Sequence, residues 1–452
     1  MKLTFLGGVG TVTGSKYLLE IGTRKILIDC GLFQGYKQLR LRNWTPLPID
    51  PATIDAVILT HAHIDHSGYL PLLVRNGFKG PVYCTDATRD LCSILLPDSG
   101  FLQEKDAENA NRKGYTKHKP AKALYTKKDA ENALKLLKPR DFNSDLVLAD
   151  DLIIRFLPAG HILGAAIVQI TAGSTKIVFS GDLGRRNDPI MLAPTAIADA
   201  DYLVVESTYG DRLHGDVDAL EQIVKTVIST AAQGGTLLIP SFAVGRAQLL
   251  LFYLNVLKKQ KRIPDLPVFL DSPMAINASE MFCQHAQYQR LSAEQCRDTC
   301  AVATYTRSVE DSKALASVMV PKIIISASGM ATGGRVLHHL KQYAPDHRNT
   351  ILFAGYQAGG TRGATIVSGA QHVKIHGRHI DIKARIEHLD MLSAHADQDG
   401  ILRWLKQFDH PPTKTFITHG EAAASDALRL KIEEELKWDC HIPDYREDVI
   451  LN

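Results

Sequence analysis

"AVILTHAHIDHSG" (residues 56–68) runs from an apolar stretch into three histidines and an aspartate within six positions. A short run of β-branched and aliphatic residues bounded by polar turn residues reads as a buried strand. His61, His63, Asp65 and His66 then form H-x-H-x-D-H at the strand's end. Imidazole nitrogen and carboxylate oxygen suit zinc at about 2 Å. Residues leaving a strand alternate in direction, so His61 and His63 can share one ion while Asp65 and His66, around the bend, serve a second.

The same arrangement recurs along the chain. "PAGHILG" carries His161, "FSGDLG" carries Asp182 and "FITHGE" carries His419, each beside glycine at the end of an apolar run. "ILIDCG" ends in Asp29 and "ADYLVVESTYG" in Glu206. A single such residue says little; six strand ends of one kind suggest side chains gathered at one edge of a sheet system.

Between them the pattern changes. Short strands joined by glycine turns fill the N-terminal part ("KLTFL", "KYLLEI", "RKILID"), and residues 98–140 look helical and charged. From about residue 215 apolar strands alternate with amphipathic helices ("TLLIP", "GRAQLLLFYLNVLKKQ", "KIIISASG", "GGRVLHHLKQY"), which implies βαβ units around a mostly parallel sheet. The first character returns near 385. This is an α/β chain in which one domain interrupts another: 1–208 and 385–452 flank an insertion at 209–384.

The 452 residues are 45% hydrophobic and 22% charged with a net charge of +3, so any nucleic-acid contact must come from a local surface. No apolar run approaches the roughly 18–20 residues of a membrane span, and the first residues read as a strand rather than a signal peptide. Seven scattered cysteines without a CxxC pair suggest reduced thiols in a cytoplasmic protein. "NRKGYTKHKPAKALYTKK" (111–128) is basic and offers Tyr115 and Tyr125 for base stacking.

Taken together, "HAHIDH", "AGHILGA", "FSGDLG" and "THG" resemble the metallo-β-lactamase fold hydrolases. "VVESTYG", "SAHAD" and "SASGMATGGR" narrow the resemblance to the β-CASP nucleases, the group of the endonuclease subunit of the cleavage and polyadenylation specificity factor and of ribonuclease J. The resemblance spans the chain and implies a metallo-β-lactamase αββα sandwich carrying a β-CASP αβα insertion. It implies two zinc ions: His61, His63 and His161 on one, Asp65, His66 and His419 on the other, and Asp182 bridging both. Asp29 would steady a ligand, and Glu206 and His395 match two further motifs.

The activity so implied is zinc-dependent hydrolysis of single-stranded RNA, endonucleolytic with some end trimming, through a hydroxide held between two metals. Asp65, Asp182, Glu206 and His395 would carry the chemistry, with His395 as proton donor, oriented by Glu206 or by Asp397. The glycine-rich segment after "KIIIS" offers Ser326, Gly329, Met330, Gly333, Gly334 and Arg335 as a phosphate cradle with an Arg clamp, and "IPSFAVGRAQ" offers Ser241 and Arg246. A DNA-processing nuclease of the same branch and a non-catalytic RNA-binding partner are the competing readings; His419 favours RNA, and the full set of ligands favours catalysis. The first strand begins at Lys2 and only 33 residues follow His419. That length suggests a compact endonuclease rather than a processive exonuclease, with a homodimer left open.

Overall fold

Strands in the N-terminal third are short and alternate around tight turns, so they pair locally. Lys2–Gly7 pairs antiparallel with Lys16–Ile21, which pairs antiparallel with Arg24–Ile28. The computed structural model, which describes residues 1–114, 118–215, 218–389 and 392–452, extends this hairpin into a seven-stranded sheet. Its order is Asp448–Ile450, Lys2–Gly7, Lys16–Ile21, Arg24–Ile28, Ala56–Ile58, Val82–Thr85, Leu137–Arg140. A second seven-stranded sheet runs Cys440–His441, Lys414–Thr418, Tyr202–Glu206, Thr175–Phe179, Ala166–Ala172, Leu152–Pro158, Asp145–Ala149.

The two sheets share one core. Phe5, Leu19, Ile28 and Ile58 of the first pack with Ile154, Val168, Phe179, Val204 and Phe416 of the second. Alternate residues of a strand point to opposite faces, so each sheet presents one apolar face inward and its other face to helices. Asp86–Lys113 lies against the first sheet and Ala422–Leu436 against the second. This is the αββα sandwich.

The chain divides into two compact units, one of Met1–Leu213 with His395–Asn452, the other of His214–Ala394. The second unit holds a six-stranded sheet, all parallel, in the order Thr304–Tyr305, Val268–Leu270, Lys322–Ser326, Thr236–Pro240, Thr350–Ala354, Arg385–Leu389. Its inner strands are buried, as in a parallel sheet covered by helices on both faces, while the edge strands Thr304–Tyr305 and Arg385–Leu389 are only partly so.

Two expectations change here. Arg385–Leu389, expected to begin the returning first domain, is instead the edge strand of the second unit's sheet, paired along its length with Thr350–Ala354. Strand character alone does not name the partner. And the cysteines are not uniformly reduced: Cys283 and Cys296 form a disulfide in the second unit, with Cα atoms 5.7 Å apart. Among the described residues no helix is long and apolar enough to cross a membrane.

Candidate metal centre

Parallel strands end on the same side, so what each carries at its C-terminus is gathered. Arg24–Ile28 runs parallel to Ala56–Ile58, and Thr175–Phe179, Tyr202–Glu206 and Lys414–Thr418 are mutually parallel. Asp29, the H-x-H-x-D-H loop, Asp182, Glu206 and His419 therefore converge within the first unit, although His61 and His419 are far apart in sequence.

The donors form two groups. His61, His63, His161 and Asp182 make one; Asp65, His66 and His419 make the other. In the first, His63 Nδ1 is 3.2 Å from both His61 Nε2 and His161 Nε2, and Asp182 Oδ2 is 3.4 and 3.5 Å from His61 and His161. In the second, His66 Nε2 is 3.0 Å from His419 Nε2, which is 3.7 Å from Asp65 Oδ2. Asp182 Oδ1 reaches His66 Nε2 at 3.1 Å and His419 Nδ1 at 3.5 Å. The carboxylate of Asp182 thus has one oxygen on each group.

These spacings fit zinc. Four donors placed tetrahedrally at about 2.0–2.1 Å from an ion stand about 3.3 Å from each other. Ring nitrogens facing one another with their lone pairs need a cation between them. In the absence of a metal, burial pushes His61 down to about 3 and His63 down to about 4, and His161 well below its ordinary value, leaving neutral imidazoles able to ligate. Burial also opposes the charge on His66, but Asp182 and Asp29 overcome it and raise that ring well above its usual value.

Around the donors lies a set of bonds that aims them. Asp29 sits at φ 58°, a conformation uncommon for any residue but glycine. Its carboxylate accepts from Thr60 N (2.7 Å), Thr60 Oγ1 (2.9 Å) and His66 Nδ1 (2.7 Å). Holding Nδ1–H this way leaves His66 Nε2 facing His419 and Asp182. Thr60 Oγ1 also contacts His61 Nδ1 at 3.1 Å, and Thr208 Oγ1 contacts His419 Nδ1 at 3.1 Å. Reading the sequence overlooked both threonines; their only signal is their place beside "HAHIDH" and within "ESTYG".

Glu206, Asp182 and His395 form a third cluster. Both oxygens of Glu206 lie 3.1 Å from His395 Nδ1, and Glu206 also accepts from Leu183 N (2.6 Å). Burial disfavours a charged His395, but Glu206 and Asp182 prevail and push it up to about 9. Its side chain stays 17% exposed, whereas those of Asp182 and Glu206 are closed off. Asp397, the other candidate for orienting it, caps the helix Gln398–Leu405 by accepting from Gly400 N at 2.8 Å.

The expected phosphate cradle is in the second unit and is more self-contained than its sequence suggests. Arg335 donates to Asp271 Oδ1 (2.7 Å), Thr306 O (2.9 Å) and Arg307 O (2.7 Å). Its fork is thus committed within the unit, not open as a phosphate clamp. Ser326 Oγ donates to Asp271 O and Ser241 Oγ to Phe242 O, both residues fully buried. Gly329 packs on Phe242, and Met330 O accepts from Gly363 N. Arg246 is buried at the start of the helix Arg246–Lys259. Gly333 and Gly334 remain where the backbone is approachable, Gly333 having no atom near its Cβ direction. Neither expected stacking residue can be placed on a surface: Tyr125 is 0% exposed and bonded to Ser99, and Tyr115 lies outside the described residues.

Comparison with known proteins agrees with this geometry. Residues 9–229 match the metallo-beta-lactamase superfamily, 247–366 the Beta-Casp domain and 379–443 the Zn-dependent metallo-hydrolase RNA specificity domain. The chain is 36% identical to "Ribonuclease TTHA0252" of Thermus thermophilus, over 93% of each. It is 31% identical to "Transcription termination factor FttA" of Methanosarcina mazei, over 97% of this chain and 69% of that one. It is 29% identical to "Integrator complex subunit 11" of Danio rerio, over 98% and 73%. A crystal structure of a protein of unknown function from Enterococcus faecalis shares the fold at TM-score 0.55 and 13% identity, covering 100% of this chain and 99% of that one. The chain belongs to the metallo-β-lactamase superfamily, in the branch that joins a β-CASP domain to an RNA specificity domain, and is a metal-dependent hydrolase of that family.

Proposed function

We propose that this protein is a two-zinc ribonuclease that cuts single-stranded RNA internally and can trim ends. The observation that carries the reading is Asp182, one oxygen on each donor group. His61, His63 and His161 would hold one ion, Asp65, His66 and His419 the other, with Asp182 shared. When bound, the ions would supply a water ionised near neutrality and neutralise charge on the phosphate.

The remaining steps fall to side chains. Asp29 fixes the ring of His66, and Thr208 that of His419. Glu206 holds His395 Nδ1–H, which turns Nε2–H toward Asp182 and the cluster, 3.9 Å away. From there His395, held protonated, gives its proton to the departing alkoxide. RNA rather than DNA is supported by the RNA specificity domain and by the ribonuclease relative. The non-catalytic reading is disfavoured because all seven donors are in place.

The test is a single-stranded RNA labelled at either end, its DNA analogue, and an Asp182→Ala chain beside the wild type. Internal cleavage of RNA by the wild type, lost by at least about 1,000-fold in the variant, is the expected result. Equal rates in the two chains would end the assignment.

A further inference from the structure

With Tyr125 buried, a different segment of the first unit carries exposed aromatic rings among cations. Between Gln34 and Ile49 the chain has three basic residues, Lys37, Arg40 and Arg42, and no acidic one. Trp44 is 54% exposed and Tyr36 52%. Large rings are usually withdrawn from water, so a pair left out on a basic segment calls for a partner.

The backbone that carries these rings is anchored. Asn43 is buried beside Trp44; its Nδ2 donates to Phe33 O (2.8 Å) and its Oδ1 accepts from Phe33 N (2.9 Å). That pair of hydrogen bonds ties the end of the helix Lys37–Arg42 to the chain leaving Asp29. On the other side, the Arg42 guanidinium lies 4.2 Å over the ring of Tyr445 and 5.4 Å from that of Phe33. Glu447, on the turn after Tyr445, is engaged by His441 and the Asp444 amide.

It also adjoins the metal centre. Leu32 N donates to Ile64 O and Cys30 N to His66 O, so the strand-like run 30–33 lies directly against the H-x-H-x-D-H loop. One step along that run, at Phe33, the basic segment is attached.

We infer that Tyr36 and Trp44, with Lys37, Arg40 and Arg42, form a stacking platform for single-stranded RNA running to or from the metal centre. Bases have π-faces that stack on indole and phenol without regard to sequence, and the cations follow the phosphates. A protein partner would be expected to meet mixed charge; the segment 34–49 offers cations alone. The inference rests on the RNA reading above, and its test is separable from it.

The chain has three tryptophans, and Trp404 and Trp438 are only 4% and 7% exposed. Base stacking should therefore report through Trp44. The wild-type protein is titrated with a single-stranded RNA of about 12 nucleotides carrying phosphorothioate linkages, which slow hydrolysis. Tryptophan emission should be quenched. Trp44→Ala should weaken binding about tenfold and Trp44→Phe should retain affinity while losing the quench. Lys37→Ala with Arg40→Ala should lower the slope of log affinity against log salt by about 1.4. Thermal melts of each variant guard against a folding defect. RNA cleaved or bound with unchanged emission and unchanged Trp44→Ala affinity would overturn the platform and leave the nuclease reading intact. Quenching by that RNA, beside no cleavage of an unmodified RNA of the same sequence, would do the reverse. A dimer dissolved by Trp44→Ala, with RNA affinity unaltered, would assign this face to a second copy of the chain and also overturn it.

Discussion

Lys16 is a buried cation behind the metal loops. Its ammonium donates to Gly14 O and Gly31 O, beneath the rings of Phe33 at 4.6 Å and Tyr69 at 5.0 Å. Burial lowers it from 10.5 to about 8. Below about pH 8 the lysine is charged in both folded and unfolded chains, and the fold bears the cost of burying the charge. Between about 8 and 10.5 the folded lysine has lost its proton while the unfolded one keeps it. The unfolded state then binds more protons, so stability rises with pH across that window and levels off above it. The shift corresponds to about 3 kcal/mol. Cys30 and Tyr17, both held up to about 12 by burial from 9.0 and 10.0, act in the opposite sense from about pH 9 upward, so the wild type is compared with Lys16→Met. Urea unfolding of the two chains should show the wild type gaining about 3 kcal/mol on the variant from pH 7.5 to 10.5. Parallel profiles would mean that the ammonium is as well solvated as in water.

At the scale of elements, the candidate metal ligands follow from where strands stop. Asp182 and His419 could be found in the sequence because each ends an apolar strand beside glycine, and parallel pairing then brings such ends together. What could not be found depends on partners distant in the chain. Arg335 reads as a phosphate clamp until Asp271 and the carbonyls of Thr306 and Arg307 are seen to occupy it. Arg385–Leu389 reads as the returning strand of the first domain until its register with Thr350–Ala354 is known. Glycine gives the sharpest local constraint. A methyl group on Gly31 would stand 1.6 Å from Asp65 O, on the loop that the run 30–32 grips. Gly31→Ala must push Asp65 and His66 away from His419. Mass spectrometry of the native protein should show zinc falling from two ions to about one, and RNA cleavage should drop at least about 100-fold, the usual result of a misplacement near 1 Å. Full occupancy and rate would show that the loop yields without moving the donors.

Across the whole molecule, the donors of both groups, together with Glu206 and His395, belong to one compact unit that is discontinuous in sequence. That discontinuity was visible as a change of pattern near 215 and again toward 385, but the point of return was not, because the last strand of the inserted sheet, RIEHL, is a half-buried edge strand whose mixed polar and apolar residues do not name its partner. The exit and the return are joined within the first unit itself: Gln398 donates through its amide to Arg212 O (3.2 Å) and through Nε2 to Gly210 O (2.6 Å). A flexible linker of about six residues can therefore replace residues 214–394 without stretching the chain. The shortened protein keeps both seven-stranded sheets, the shared core of Phe5, Phe179 and Phe416, and every donor. It should give a mixed α/β circular dichroism spectrum and bind two zinc ions per chain. RNA cleavage should fall if the approachable backbone at Gly333 and Gly334 helps hold RNA, while quenching of Trp44 by RNA should persist, since the proposed platform and the donor groups share the unit that remains. If the shortened chain folds but takes up no zinc, the inserted unit is needed to hold the donors in place, and the metal centre is not the property of one unit. If it binds zinc and cuts RNA at the full rate, the inserted unit contributes nothing to substrate, and the sandwich unit, which holds residues 395–443 of the RNA specificity match, recognises RNA unaided.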